Sequence, residues 1–104
     1  MCAFYLTVRK SAHGSVVAVC DRELVGRRYE EGEFVLDLTT NFFFEEGLTK
    51  EVDDVSVIVE AVKESFTSNI VGNRIVEALV EHGVINKNGV KNIAGIKYAM
   101  TFKI

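Results

Sequence analysis

The sequence contains no proline and no tryptophan, and only two cysteines and two histidines occur among its 104 residues. Cys2 and Cys20 are too few for a disulfide framework, and together with His13 and His82 they match no zinc-binding spacing such as paired C-x-x-C. We therefore expect free thiols and neither a bound metal nor a cofactor.

Long hydrophobic runs are also missing. No stretch approaches the roughly 18 uninterrupted apolar residues of a membrane helix. The first residues, MCAFYLTVRK, lack the basic lead and apolar segment of a signal peptide. We expect a cytoplasmic protein that does not contact membranes. The apolar fraction of 48% is enough for one continuous core, which predicts a single domain over residues 1–104.

The N-terminal third has the patterns of strands. Apolar and polar residues alternate in AFYLTVRK, which predicts a first strand whose solvent face carries Tyr5 and Arg9. Turn residues in SAHG and the β-branched run SVVAVC then predict a hairpin. Asp21 is expected to cap a short helix over RELV that ends at Gly26, and EFVLDL predicts a third strand.

Two helices are predicted in the second half of the chain. The first is expected to begin at a Thr49 cap and to bury one apolar stripe. That stripe consists of Val55, Ile58, Val59, Val62 and Phe66. A second helix is expected to begin at Ser68 or Asn69, to include Gly72 in its first turn and to end at Gly83.

The C-terminal segment alternates most regularly, which predicts a final strand. Its core-facing residues are expected to be Ile96, Tyr98, Met100, Phe102 and Ile104. The resulting fold class is α+β: an antiparallel sheet of about five strands, two main helices packed on one face and one short helix after strand two. We expect the first and last strands to be neighbours in this sheet.

Charge is distributed unevenly along the chain. Residues 30–60 carry one basic and ten acidic side chains, whereas residues 86–104 carry four lysines and no acidic residue. If the first and last strands are neighbours, Tyr5, Arg9, Lys97 and Lys103 form one basic surface that could hold RNA phosphates and stack a base. The simpler interpretation is that these side chains solubilise an exposed sheet. An acidic protein surface is an alternative partner.

Two other hypotheses remain open. A small enzyme or ligand-binding domain would have a pocket near Cys20, Asp21, Asn69 and Arg74, where a helix N-terminus could receive an anion. No histidine can be assigned to Cys20 as a base, so we expect this thiol to be a buried structural residue. A protein interaction module would instead expose an edge strand or the aromatic stretch NFFF, residues 41–44.

Three segments together are similar to a known family. AVCDRELVGRRYEEGEFVLDL, FTSNIVGNRIVEALVEHGVI and VKNIAGIKYA resemble, in that order, the small archaeal proteins of domain-of-unknown-function family 424. The resemblance implies no established activity, and it favours an accessory role around RNA or ribosomes. Members often have a proline and a histidine where this chain has Lys97 and Tyr98. A role of that histidine therefore does not transfer to this chain.

Overall fold

The computed structural model describes residues 2–103. Eight strands and two α-helices occur in this part of the chain, with two short 3-10 helices at Arg22–Leu24 and Lys87–Gly89. The strands are β1 (Phe4–Ser11), β2 (Gly14–Asp21), β3 (Arg28–Glu31), β4 (Phe34–Asp37), β5 (Lys50–Val52), β6 (Thr67–Val71), β7 (Lys91–Ile93) and β8 (Ile96–Phe102). The helices are α1 (Val55–Glu64) and α2 (Asn73–Glu81).

The predicted α+β class is confirmed, but the sheet differs from the expected one. Six strands form the main sheet in the order β5-β1-β2-β6-β8-β7, and β3 and β4 form a separate two-stranded hairpin. All neighbouring strands are antiparallel except β2 and β6, which are parallel. Within residues 2–103, no helix has the length and apolar character needed to cross a membrane.

The largest sequence error concerns β6. We expected residues 68 onward to begin a helix, but Thr67–Val71 is a central strand that pairs with β2 on one side and β8 on the other. Its β-branched residues suit a strand, and its Ser and Asn resemble helix caps only when the sequence is considered locally. Helix α2 begins at Asn73 after Gly72, which lies three to four residues beyond the predicted caps Ser68 and Asn69.

Helix α1 also begins later than predicted. The cap is Asp54, whose Oδ1 accepts a hydrogen bond from the Ser56 amide at 2.9 Å, and not Thr49. Lys50–Val52 is the edge strand β5, and Phe66 lies beyond the end of the helix. Ile58, Val59 and Val62 are buried as the predicted stripe requires.

The two faces of the main sheet are covered differently. Across the ladder, Leu6, Val19, Ile70 and Ala99 are in register, and they belong to one buried cluster with residues of α1 and α2. We call this side the helix face. On the opposite side, the hairpin face, Ala18, Cys20 and Val71 pack against residues of the β3–β4 hairpin and of the segment that follows it.

The prediction for strand β8 is correct only in part, since Ile96 and Tyr98 are partly buried against the hairpin-face cluster but the later residues of the strand are not. Ala99 is buried on the helix face, whereas Met100 and Phe102 point to the hairpin face and are exposed. A small residue at position 99 lets α2 pack closely on the sheet. The predicted core position of Ile104 lies outside the described residues.

Candidate binding surface

The surface formerly expected from Tyr5, Arg9, Lys97 and Lys103 does not exist as one patch. Strands β2 and β6 separate β1 from β8, so the first and last strands are not neighbours. In register, Tyr5 aligns across the sheet with Tyr98 on the hairpin face, while Lys97 has the opposite orientation. The predicted adjacency is wrong because β6, assigned to a helix from sequence, occupies the position beside β2.

Arg9 has a structural role on the hairpin face. Its guanidinium donates hydrogen bonds to the backbone oxygens of Asn41 at 2.6 Å and Phe42 at 2.9 Å, and it forms an ion pair with Glu45 at 2.9 Å. It also lies 5.6 Å from the centre of the Phe42 ring. Arg9 therefore fixes the loop between β4 and β5.

The other three residues of the expected RNA surface are dispersed. Tyr5 is half-buried, with its ring in an edge-on contact with Phe44 at a centroid distance of 5.0 Å. Lys97 reaches toward α2 on the helix face and forms an ion pair with Glu77 at 3.0 Å. Lys103 is exposed at the end of β8. Whether any of these side chains contacts RNA stays a prediction.

Two of the four residues predicted to line a ligand pocket, Asp21 and Arg74, lie close together. Asp21 is almost fully buried at the end of β2, and its two carboxylate oxygens accept hydrogen bonds from the backbone amides of Arg74 and Ile75, both at 3.0 Å. Asp21 thus caps α2 and not, as predicted, the short helix after β2. Burial raises the pKa of Asp21, and the two amide bonds and the Arg74 charge oppose that shift.

Arg74 lies across the surface beside this cap. Its guanidinium forms an ion pair with Glu23, donates a hydrogen bond to the Ala3 carbonyl at 3.1 Å, and lies 5.3 Å from the centre of the Phe4 ring. These partners fix Arg74 to the end of the sheet. The pair Asp21–Arg74 therefore joins elements of the fold.

Cys20 and Asn69 are on the opposite side of the sheet from this pair. Cys20 is fully buried in the hairpin-face cluster, and burial, with Asp21 and Glu23 nearby, raises the pKa of its thiol to about 12. A thiol with that pKa is not a nucleophile at neutral pH. The four residues of the predicted pocket do not converge, because the adjacent strand positions Cys20 and Asp21 point to opposite faces and Asn69 shares the face of Cys20.

Exposed apolar side chains form the feature that sequence analysis missed. Five large hydrophobic residues are exposed in the described chain: Phe34, Val35, Val57, Met100 and Phe102. All but Val57 lie on the hairpin side of the molecule, on β4 or β8. Phe102 is 66% exposed and Met100 is 47% exposed, although both were assigned to the core. The NFFF stretch, by contrast, is mostly packed inward.

A cavity of about 290 Å³ lies between β4, the loop after it and the sheet. Its lining comprises Phe34, Val35, Leu36, Asp37, Phe42, Phe43, Asn69, Val71, Ile93 and Tyr98. We call it the hairpin pocket. It adjoins the β8 row, which we define as the hairpin-face side chains Tyr98, Met100 and Phe102, since Asn69 opposes Met100 and Val71 opposes Tyr98 in the ladder.

Lys91 and a group of three glutamates lie at opposite edges of the main sheet. Lys91 on β7 opposes Tyr98, so it borders the β8 row. At the other edge, Glu45, Glu46 and Glu51 line a depression beside Tyr5. Among residues 2–103, no group of three or more His, Cys, Asp or Glu side chains is arranged to hold a metal ion.

The chain matches one protein family and is similar in fold to a solved structure. A family model described as "Protein of unknown function (DUF424)" matches residues 8–104. A solved structure, the crystal structure of an uncharacterized conserved protein from Methanopyrus kandleri, is similar with a TM-score of 0.73 and 21% sequence identity. The similarity covers 94% of this chain and 89% of that chain. No curated protein matches significantly.

Proposed function

The chain belongs to the DUF424 family, as its resemblance to archaeal proteins predicted, and we propose that it is a cytoplasmic accessory protein that contacts single-stranded RNA or a ribonucleoprotein. The contact surface in this proposal is the β8 row with Lys91. It replaces the surface expected from sequence.

The observation that carries the proposal is the exposure of Phe102 and Met100 beside Tyr98 on a sheet face. Large apolar side chains on a sheet face cost free energy in water, so their exposure is a sign of binding. Unpaired bases stack on aromatic side chains of such sheets, with about 1–3 kcal/mol per stacked base. The bases of duplex RNA are paired and stacked inside the helix, so this surface is expected to bind single-stranded RNA.

The charge distribution supports the same surface. Lys91 on β7 is exposed and opposes Tyr98, so its positive charge lies beside the β8 row. Phosphates are attracted to such lysines in a salt-dependent manner. Because the net charge is −3 and the acidic side chains Glu45, Glu46 and Glu51 lie at the opposite edge, binding is expected to be weak and restricted to one orientation.

A protein partner is the second candidate. The same exposure of Phe34, Val35, Met100 and Phe102 suits an apolar protein contact. Lys91 beside them suits a partner with an acidic surface. A protein contact of this kind would rely mainly on the apolar side chains. Its affinity would therefore change less with salt concentration than the affinity for RNA.

Binding of labelled single-stranded RNA, measured by fluorescence anisotropy at two salt concentrations, tests the proposal. Phe102→Ala is expected to weaken binding about fivefold to a hundredfold, as loss of one stacking contact implies. Lys91→Glu is expected to weaken binding and to make it less sensitive to salt.

Matched controls are available on other surfaces. Val57 is 48% exposed on α1, and Lys10 is exposed near the tip of the β1–β2 hairpin. Val57→Ala and Lys10→Glu change the same kinds of side chain and are expected to leave binding unchanged. Wild-type protein that shows no salt-sensitive binding, or equal losses in test and control variants, contradicts the proposal.

A further inference from the structure

The hairpin pocket has one polar group on its floor. Asn69 belongs to the central strand β6, is half-buried, and lines the pocket together with Val71, Phe42 and Phe43. Within residues 2–103, no protein atom forms a hydrogen bond with its side-chain amide. The amide therefore offers one acceptor and two donors to a molecule that enters the pocket.

The walls of the pocket are aromatic and the space is small. Phe34 and Tyr98 contribute rings from two different elements, and the cavity of about 290 Å³ has room for a single ring system with some water. Aromatic side chains beside an amide are features by which proteins stack a splayed base and read its edge. Tyr98 belongs both to this pocket and to the β8 row, so one RNA strand can reach both.

The pocket also contains a carboxylate, which would favour the base of a nucleotide over its phosphate. Asp37 lines the pocket, and hydrogen bonds from the Thr39 amide and hydroxyl favour its ionised form and lower its pKa. An ionised carboxylate repels phosphate and attracts hydrogen-bond donors. An aliphatic side chain of a protein partner would leave the Asn69 amide buried without a partner, which is unfavourable.

We propose that the hairpin pocket takes one unstacked nucleobase that carries an exocyclic amino group, such as adenine, and that Asn69 hydrogen bonds to the edge of this base. The proposal rests on the proposed function, since it assigns a base-recognition site to the same RNA-binding surface. Asn69 determines which base is preferred, while the β8 row and Lys91 bind any single strand. Asparagine pairs with adenine through two hydrogen bonds in other recognition sites.

Short oligoadenylate and oligouridylate of equal length test the base preference. Wild-type protein is expected to bind oligoadenylate about tenfold more tightly, as one well-formed bidentate pair implies. Asn69→Ala is expected to abolish that preference without changing the salt dependence. Thr67→Ser, on the same strand and face, is the control and should keep the preference. Thermal unfolding of each variant checks that it is folded.

A second measurement separates failure of this proposal from failure of the proposed function. Adenosine monophosphate is titrated into ¹⁵N-labelled protein, and the side-chain amide signal of Asn69 is expected to shift, with uridine monophosphate causing a smaller shift. If both oligonucleotides bind equally and the Asn69 signal does not move, the pocket proposal is wrong and the RNA surface stands. If the Asn69 signal shifts but neither oligonucleotide binds, the pocket stands and the RNA function is wrong.

Discussion

Gly72 lies directly against the carboxyl group of Asp21, at the point where β2 and β6 end and α2 begins. A Cβ atom at position 72 would overlap that carboxyl group, and Gly72 has a φ of 130°. Its amide donates a hydrogen bond to the Lys97 carbonyl at 2.9 Å, and its carbonyl accepts one from Val76 at 3.0 Å. This junction therefore connects three strands and a helix through a residue without a side chain.

Gly72→Ala is expected to destabilise the fold strongly. The added methyl group would force apart Asp21 and α2, and the positive φ is strained for alanine, so we expect a loss of about 2–4 kcal/mol in the free energy of unfolding. Chemical denaturation measures this loss. Gly89→Ala is the control, because no atom lies within 4 Å of its added Cβ. Equal effects of the two substitutions would contradict the described junction.

Asp21 is expected to make the free energy of unfolding depend on pH. Its pKa is raised in the folded state above the ordinary value of 3.8, chiefly by burial. The folded protein therefore retains this proton at a pH at which the unfolded chain has released it. The resulting stabilisation is present in full below 3.8 and is lost as the pH rises through the folded-state pKa.

Chemical denaturation of wild type and of Asp21→Asn across this pH range isolates the contribution of Asp21 to the free energy of unfolding. The contributions of the other carboxyl groups cancel in the difference between the two proteins. The stability of wild type relative to the variant is expected to decrease as the pH rises. A relative stability that increases with pH would show that the Arg74 and Ile75 amides outweigh burial.

The two cysteines are expected to differ in reactivity. Cys20 is fully buried with a thiol pKa of about 12, whereas Cys2 is partly exposed. In folded protein at neutral pH, an alkylating reagent should therefore modify no more than one thiol, and Cys2→Ser should leave none that reacts rapidly. Mass spectrometry counts the added groups. Rapid modification of Cys20 in the folded Cys2→Ser protein would contradict its burial.

Arg9 is expected to affect stability more than binding. Arg9→Ala removes two hydrogen bonds to backbone oxygens and the ion pair with Glu45, for which we expect a loss of about 1–3 kcal/mol. The same variant is expected to bind single-stranded RNA as wild type does when measured well below its unfolding temperature. A variant of unchanged stability with weaker RNA binding would contradict the structural role of Arg9 and assign it to the RNA contact.

The sequence predicted elements whose signals are local. The β1–β2 strands, the apolar stripe of α1 and the end of α2 before Gly83 follow from periodicity and from residues typical of helix ends. Family membership was also apparent from short segments distributed along the chain. These features depend on residues that lie close together in sequence.

The features that were missed depend on tertiary contacts. Ser68 and Asn69 are typical of helix caps, yet they lie in a central strand because β2 and β8 both supply backbone partners. In β8, Tyr98, Met100 and Phe102 are more apolar than their neighbours, so they were assigned to the core. The structure buries the small residue Ala99 instead, because α2 covers that face. The proposed binding surface centres on Met100 and Phe102, which are hydrophobic and exposed.

Mapping of backbone and methyl NMR shifts during titration with single-stranded RNA tests the central claim most directly. Shifts are expected to be concentrated on Tyr98, Met100 and Phe102, to extend to Asn69, and to decrease as salt is added. Absence of shifts, or shifts confined to α1 and β5, would contradict an RNA-binding role of the β8 row.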